Sequence, residues 1–184
     1  HDFQDSYAKE LQKSYHYLVQ KHQLCEKVIG SVEFFKHRPD NFPTIRLVQL
    51  ASLYFHQKNL FSLVRNCSSI NELYQVFNVG VSEYWETHYN FDRESSKKMK
   101  KLSKSFIELL VINTIIPLQF AYARSQQKEI TQDLIDLANS IPSEKNVIID
   151  KFKTFGIASE NVYESQALLQ LKKEYCDLKK CLDC

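Results

Sequence analysis

Apolar residues recur at intervals of three and four along most of this chain, and that spacing places them on one side of a helix. In residues 5–23 they are Tyr7, Leu11, Tyr15 and Leu18, with Asp2 or Asp5 available as the helix cap. Residues 25–36 form a second helical segment. The cleanest run, at the C-terminal end, consists of Leu168, Leu171, Tyr175, Leu178 and Leu182.

A loop with two prolines leads into the helix that we expect the rest of the chain to pack around. Pro39 and Pro43 fix the backbone φ angle and push the residues before them into extended geometry. Pro43 also suits the first turn of a helix, which is predicted to run from Thr44 to about Gln57. The side predicted to be buried consists of Leu47, Leu50, Ala51 and Tyr54, and the other side of Arg46, Gln49, Leu53 and His56.

Local signals predict further helices. Ser69 and Glu72 have the spacing of a capping box and predict a short helix. Ser143 is predicted to cap a later helix that Gly156 ends. Other helical segments begin at residues 60 and 130.

The middle of the chain is predicted to pass from a loop into a long helix. Residues 83–93 are aromatic and loop-like, and the lysines from Lys97 to Lys104 are predicted to crowd the start of the helix, which Pro117 breaks or kinks. No segment has the alternation of a strand. We therefore predict an all-α fold, a single irregular bundle of about eight helices in one domain over residues 1–184.

Composition narrows the class of protein. The chain has 184 residues, 43% of them hydrophobic, which excludes general disorder. Its 3 glycines and 4 prolines leave little material for the turns of a sheet protein. The net charge of +2 gives no global attraction to nucleic acid or to anionic membranes. The most apolar stretch, Phe106 to Ala123, is interrupted by polar residues and by Pro117, so we expect a buried core segment and no membrane contact.

The two ends of the chain and its cysteine content indicate the cellular location of the protein. No charged region followed by an apolar one indicates secretion, so a cytoplasmic location is expected. His1 lies inside a helical pattern, and we expect the chain to be part of something longer. Five cysteines without an export signal favour free thiols or a metal site over disulfides.

Three of the cysteines, Cys176, Cys181 and Cys184, are candidate metal ligands. Closely spaced thiolates suit zinc or an iron–sulfur cluster. On one continuous helix Cys176 would lie about 140° from Cys181, so the three converge only if the helix ends near Lys179 and Lys180. The alternative, which we favour, is a small core cysteine followed by two terminal thiols and no cofactor.

Basic residues form a second candidate site. Arg38, Asn41 and Arg46, beside a helix start, could hold a phosphate, although a structural role for these side chains is favoured. Lys97, Lys98 and Lys101 could follow a nucleic-acid backbone, but lysines in such runs are more often merely solvated.

The aromatic residues nearby could in principle stack on bases. An aromatic plug is the favoured interpretation of Tyr84, Trp85, His88 and Tyr89. The motifs of phosphate-binding loops, zinc proteases and serine hydrolases are absent from the sequence, so we do not expect this chain alone to be an enzyme.

Several motifs together resemble a known family. They are Arg38-Pro39-x-Asn41-Phe42-Pro43-x-x-Arg46, Tyr84-Trp85-x-x-His88-Tyr89-x-Phe91, Asn113-x-x-x-Pro117-x-x-Phe120-Ala121-Tyr122, Ser165-Gln166-Ala167-Leu168 and Tyr175-Cys176-x-x-x-x-Cys181-Leu182-x-Cys184. In combination they resemble the C-terminal half of the bacterial family called domain of unknown function 2851 (DUF2851). The resemblance implies a partner, an N-terminal half similar to PD-(D/E)xK nucleases, which is missing here, so no catalytic residue carries over.

Two functions follow as hypotheses. The first is a non-catalytic helical domain that accompanies the nuclease-like half and contacts DNA or RNA, which predicts one exposed basic face and salt-dependent binding. The second is a protein-interaction or scaffold domain with, at most, a structural metal site at the cysteines. It predicts basic groups that are scattered or internally paired, with an exposed apolar patch elsewhere.

Overall fold

The computed structural model describes residues 3–25, 38–180 and 182, and it is helical over most of them. A 3-10 turn at Pro39–Asn41 precedes α2, and a small antiparallel hairpin pairs β1, His88–Asn90, with β2, Arg93–Glu94. The helices are α1 Ser6–His22, α2 Pro43–His56, α3 Leu60–Asn66, α4 Ile70–Val76, α5 Glu83–Thr87, α6 Lys104–Ser125, α7 Thr131–Asn139, α8 Val147–Thr154 and α9 Val162–Leu171. The all-α prediction is confirmed. The helix predicted at 25–36 lies, except for Cys25, outside the described residues.

Most of the predicted helix starts are confirmed. Asp5 Oδ1 accepts a 2.8 Å hydrogen bond from the N–H of Tyr7 at the start of α1. Both bonds of the capping box between Ser69 and Glu72 are present at α4. Pro43 is the first residue of α2, where its missing N–H has no partner to lose.

The helix α8 begins later than predicted. Asn146, not Ser143, caps it, because the Asn146 carboxamide oxygen accepts from the N–H groups of Ile148 and Ile149 at 3.0 and 3.1 Å. The prediction for its end is confirmed, since Gly156 follows the helix with φ of 82°, a conformation that glycine adopts without strain.

The chain divides into two compact units. The first unit comprises His1–Lys58 and Asn78–Leu102, and the second comprises Asn59–Phe77 and Ser103–Cys184. The core of the first unit includes Ala8, Ile45, Leu53, Val79 and Trp85. The core of the second includes Val64, Leu73, Val111, Ile115, Leu137, Ile141 and Val162. The prediction of a single domain stays a prediction.

The buried side of α2 is the one predicted to face outward. Gln49 and Leu53 are only 4% and 5% exposed, whereas Leu47 and Tyr54 are each 61% exposed. Gln49 tolerates burial because its carboxamide is satisfied: the oxygen accepts from Arg46 Nη1 at 2.9 Å and the nitrogen donates to the Lys100 carbonyl at 3.4 Å. The prediction that Leu47, Leu50, Ala51 and Tyr54 are buried is therefore wrong.

The lysine-rich segment is not the start of a helix either. Residues 95–102 have no regular secondary structure, and α6 begins only at Lys104, where the Ser103 hydroxyl accepts from the N–H of Phe106 at 3.2 Å. Positive charges at a helix start oppose the helix dipole, and Ser103 is a good cap. Pro117 does not end α6, because a π turn at Val111–Ile115 precedes it.

By length and composition alone, α6 could cross a membrane: its mean hydropathy over an 18-residue window is 1.6, and 33% of that window is buried. Helices in the cores of soluble proteins meet the same criteria. The buried Gln119 side chain of α6 donates to the carbonyls of Val64 and Cys67 at 2.8 and 3.0 Å, which satisfies the C-terminal end of α3. This interaction ties α6 into the second unit. The prediction of no membrane contact stays a prediction.

The aromatic segment is ordered rather than loop-like. It forms α5 and the hairpin, whose turn places Asp92 at φ of 59°, a left-handed conformation that Asp tolerates better than most residues. At the C-terminal end, α9 continues as a π turn at Lys172–Cys176. Leu178, which belongs to the apolar run predicted at this end, is 54% exposed.

Candidate functional site

The predicted basic corner is a closed hydrogen-bond network. Arg46 donates through Nη2 to the side-chain oxygen of Asn41 at 2.6 Å and through Nη1 to Gln49 at 2.9 Å. Asn41 lies in the 3-10 turn and Arg46 in the first turns of α2, so the proline-containing loop sets their separation. Burial lowers the pKa of Arg46, and the nearby Asp40 carboxylate opposes that effect. The Arg46 guanidinium therefore holds the loop against the helix.

Asp40 connects this corner to the lysine-rich segment. Its carboxylate accepts from Lys98 Nζ at 2.6 Å and from the Tyr89 hydroxyl at 3.1 Å. The hydrogen bond from Lys98 holds the pKa of Asp40 below its ordinary value, and the same bond raises the pKa of Lys98. Lys98 is therefore already neutralised within the first unit.

A buried lysine, Lys100, lies next to this pair. It is 4% exposed, and its Nζ donates to three carbonyls, those of Trp85 at 2.5 Å, His88 at 2.8 Å and Glu86 at 3.3 Å. The ammonium also lies 3.9 Å from the centre of the Tyr89 ring, a cation–π contact. Burial lowers the pKa of Lys100. Nothing in the local sequence separates this lysine from its exposed neighbours, so sequence analysis missed it.

The remaining predicted basic residues have varied surroundings. Lys97 pairs with Glu86 at 3.1 Å, and Lys101 donates to the Asn78 side chain at 3.1 Å. Arg38 is exposed and forms no ion pair within the described part of the chain. The structure thus brings Asn41, Arg46 and Lys98 into one network, in which the cations already have partners. A role of these residues in binding anions or nucleic acid stays a prediction.

The aromatic side chains pack on one another rather than facing solvent. Tyr84 is stacked between Tyr7 and His88, with ring centres 4.1 and 3.9 Å away. Trp85 is 3% exposed and meets the edge of Phe91 at 5.1 Å. A buried indole cannot stack on a base, so the geometry fits the predicted aromatic plug.

Two carboxylates and a histidine surround Tyr84. Asp5 accepts from the Tyr84 hydroxyl at 2.6 Å, and burial together with this bond raises the pKa of Tyr84. Asp92 accepts from the backbone N–H groups of Gln4 and Asp5 at 3.0 and 2.7 Å. His88 Nδ1 lies 2.9 Å from the Tyr84 carbonyl. All three groups have structural partners and none lines a cavity described below.

The cysteine site is only partly covered by the described residues. Cys176 is exposed at the end of the π turn, so the favoured interpretation of it as a core cysteine is wrong. Lys179 has φ of 56°, so the helix ends where convergence of the three thiols requires it. Cys181 and Cys184 lie outside the described residues. Over the ranges that the structure describes, no group of His, Cys, Asp and Glu could hold a metal ion. Zinc or an iron–sulfur cluster at the three cysteines stays a prediction.

An open apolar groove in the first unit was not predicted from the sequence. It has a volume of about 690 Å³. Its walls come from α1 and α2 and its floor from residues near Gly80 and Trp85. The residues that line it on the helices are Tyr7, Leu11, Thr44, Leu47, Val48, Ala51, Ser52, Phe55 and His56. The exposed side of α2 thus forms part of this groove.

Comparison with known families identifies the family of this chain. Residues 1–147 match the family described as "Protein of unknown function (DUF2851)". The chain belongs to the DUF2851 family. The match covers the basic corner, the aromatic cluster and the groove of this DUF2851 chain, whereas Cys176, Cys181 and Cys184 lie beyond it. No curated protein and no solved structure matches the chain.

The Asp40–Lys98 pair of this DUF2851 chain gives a pH-dependent prediction. Because the folded-state pKa of Asp40 is lowered from 3.8, the pair stabilises the fold above that pH, and the stabilisation is lost as the pH falls through the folded-state pKa. Since both side chains are largely exposed, we expect Asp40→Asn to lower the stability only slightly at pH 6, and by less at pH 2.5, where a larger fraction of Asp40 is protonated. Urea unfolding at both pH values measures this difference. In a double-mutant cycle, Lys98→Met should remove the same contribution, and additive effects would contradict the pairing.

Proposed function

We propose that this DUF2851 chain is a non-catalytic protein-interaction domain that binds its partner through the apolar groove of the first unit. The observation that carries the proposal is the orientation of α2. Its longer apolar stripe faces outward, with Leu47 61%, Leu50 49%, Tyr54 61% and Phe55 78% exposed. Contiguous exposed apolar surface in a folded domain marks a binding site.

The first helix supports the same conclusion. Ala8 is its one buried residue among those described, whereas Leu11, Tyr15 and Leu18 are 43%, 47% and 44% exposed. These three residues repeat at four and three, so they form a second apolar stripe. Two amphipathic helices with open apolar sides thus flank the groove, which Leu11, Leu47 and Phe55 of these stripes line.

The basic residues give less support to nucleic-acid contact. Arg46, Lys97, Lys98 and Lys101 already bond within the first unit, and Trp85 is buried. Internally paired basic residues are what the protein-interaction hypothesis predicts. That the partner includes a nuclease-like half of a longer chain, and that the protein is cytoplasmic, stay predictions.

Selection of peptides tests the proposal. A displayed library of peptides is panned against the full chain, and recovered peptides are measured by fluorescence anisotropy against two variants. Leu47→Glu places a charge in the groove. Met99→Glu is the control, because Met99 is 67% exposed, close to the 61% of Leu47, and does not line the groove. We expect Leu47→Glu to lower the affinity for these peptides at least about tenfold, because binding would bury a charge in an apolar contact. We expect Met99→Glu to leave the affinity unchanged.

Two results would contradict the proposal. One is recovery of no peptide whose binding depends on Leu47. The other is binding of labelled duplex DNA or RNA that weakens steeply with salt and is unaffected by Leu47→Glu, which would favour the nucleic-acid hypothesis.

A further inference from the structure

We infer that the groove binds an extended peptide of another protein, with an apolar side chain at every second position, and that the peptide backbone pairs with N–H groups of residues 80–82. This inference rests on the proposed function and specifies the conformation and the pattern of the partner. Three observations carry it: backbone donors in the groove without partners among the described residues, a glycine that the described fold does not require, and apolar residues from two helices beside them.

The floor of the groove presents backbone donors that a ligand could use. Gly80, Val81 and Ser82 line the groove, and none of their N–H groups donates to another residue in the part of the chain that the structure describes. Gly80 and Val81 are half-buried. Backbone donors away from bulk water need an acceptor. Water can supply it in the open groove, and the carbonyls of an extended peptide would replace that water on binding. A helix keeps nearly all of its carbonyls for its own N–H groups.

The carbonyls of the same segment hold it in place. The Gly80 carbonyl accepts from the Ser52 hydroxyl of α2 at 2.5 Å, and the Ser82 carbonyl accepts from the N–H of Trp85 at 2.9 Å. The segment is thus fixed through its acceptors while its donors stay open to a ligand. A second copy of this chain suits these donors poorly, because its matching segment has the Gly80 and Ser82 carbonyls already engaged.

Gly80 is a glycine for which the described fold gives no reason. Its φ lies outside the left-handed region, and a Cβ added to it would meet no described atom within 4 Å. A glycine costs conformational entropy on folding, so it is expected where a side chain would be in the way. In extended backbone, it often marks the place where another backbone approaches closely. The open space at Gly80 leaves room for the backbone of a peptide.

The walls of the groove suit alternate apolar side chains. Apolar residues line it from both helices: Leu11, Leu47, Ala51 and Phe55. From Thr44 to His56, the outermost groove residues of α2, the helix rises about 18 Å. About five or six extended residues have that length, and their side chains point alternately to opposite sides. Every second side chain can therefore contact the apolar residues, while the backbone reaches residues 80–82.

Two peptide libraries of the same composition distinguish the conformations of the occupant. In the first, Leu, Val or Phe alternates with Ser, Thr or Gln over about ten residues. In the second, the same residues follow the helical spacing i, i+3, i+4 and i+7. Both are panned against the full chain, and the binders are compared with Leu47→Glu by fluorescence anisotropy. We expect the binders that depend on Leu47 to come from the alternating library, with affinity at least about tenfold higher than in the helical one.

Amide hydrogen exchange, followed by NMR, measures the pairing at the backbone. N–H groups without partners exchange fast in the unbound chain. Neighbouring N–H groups of an extended backbone point to opposite sides. We therefore expect a bound peptide to slow exchange at Gly80 and Ser82 together, or at Val81 alone, at least about tenfold. A helix bound through its side chains offers these groups no acceptor.

Gly80→Val tests the close approach of the two backbones. Since a Cβ at this position meets no described atom, we expect the fold to be kept, which urea titration checks, and the affinity for the alternating peptides to fall at least about tenfold. Ser96→Val is the matched control, because Ser96 is exposed, lies outside helices and strands in the same unit and does not line the groove. We expect the control to leave the affinity unchanged.

The outcomes separate the inference from the proposed function. Binders that depend on Leu47 but follow the helical spacing, leave exchange at residues 80–82 unchanged or tolerate Gly80→Val would overturn the extended occupant and leave the interaction domain intact. The absence of any binder that depends on Leu47 from either library would overturn both. Concentration-dependent dimerisation in sedimentation, abolished by Leu47→Glu, would make a second copy the occupant and overturn the inference.

Discussion

Replacing Lys100 with methionine is expected to lower the free energy of unfolding of the first unit by about 3 kcal/mol, although the segment around it is rich in exposed lysines. Methionine has nearly the same length, so the packing is largely kept. The carbonyls of Trp85, Glu86 and His88 would lose their shared donor. A buried acceptor left without a partner costs about 1–3 kcal/mol. The Glu86 carbonyl keeps a second donor, the backbone N–H of Lys98 at 2.9 Å, so the loss comes mainly from the carbonyls of Trp85 and His88.

Urea unfolding followed by tryptophan fluorescence measures this effect. Trp85 is the one tryptophan of the chain and lies in the same unit, so its emission reports on that unit. Lys101→Met is the matched control, because Lys101 is exposed and, among the residues that the structure describes, its side chain bonds to Asn78 alone. We expect the control to change stability by less than about 0.5 kcal/mol. Equal effects of the two substitutions would show that Lys100 does not hold the aromatic segment.

Ile45→Ala is expected to cost about 3 kcal/mol of unfolding free energy, whereas Leu47→Ala, two residues away on the same helix, is expected to cost less than about 0.5 kcal/mol. Ile45 is fully buried at 0% exposed, so its truncation leaves a cavity. Leu47 is 61% exposed and loses little on truncation. The difference between these two losses of unfolding free energy shows which side of α2 faces the core.

The same urea titration serves for both variants. A cost of about 3 kcal/mol for Leu47→Ala, comparable to a buried leucine, would mean that the apolar stripe of α2 is packed inside the domain. That result would contradict both the orientation of α2 and the proposed groove. A low cost would leave Leu47 available for binding, and the Leu47→Glu variant could then be used without loss of the fold.

Local sequence signals accounted for much of the fold. The capping box of α4, the aspartate cap of α1, Pro43 in the first turn of α2 and Gly156 after α8 all depend on neighbouring residues, so the sequence contains the whole interaction. Where two residues could cap one helix, as Ser143 and Asn146 could, the structure uses Asn146. Sequence alone does not contain that information.

The errors have a shared physical origin in long-range contacts. A buried glutamine on α2 violates the hydrophobic pattern, and it is tolerated because Arg46 donates to its oxygen and the Lys100 carbonyl, 51 residues away, accepts from its nitrogen. Lys100 is itself buried because three carbonyls from another segment surround its ammonium. Neither partner can be identified from periodicity. The groove was missed for the same reason, because the pattern assigned Leu47 and Ala51 to the core.

The candidate basic site shows which of its contacts can be predicted from residue type and which cannot. The structural alternative for Arg46 and Asn41 could be stated from the sequence, and the two side chains do bond to each other. Asp40 as the partner of Lys98 could not be predicted, because nothing in the spacing of 58 residues links them. Charge in a sequence indicates an anion site only when the carboxylates of the fold leave that charge unpaired.

The two units are interleaved along the chain, and this has a consequence for how the protein is made. His1–Lys58 needs Asn78–Leu102 to complete the first unit, while Asn59–Phe77 belongs with residues that follow Ser103. Chains leave the ribosome from the N-terminus. The first unit therefore closes only when Leu102 has emerged, with α3 and α4 held out as a loop until the rest of their own unit is synthesised. During that interval the apolar sides of both short helices are open to the cell, and a pause in translation just after Leu102 would lengthen it.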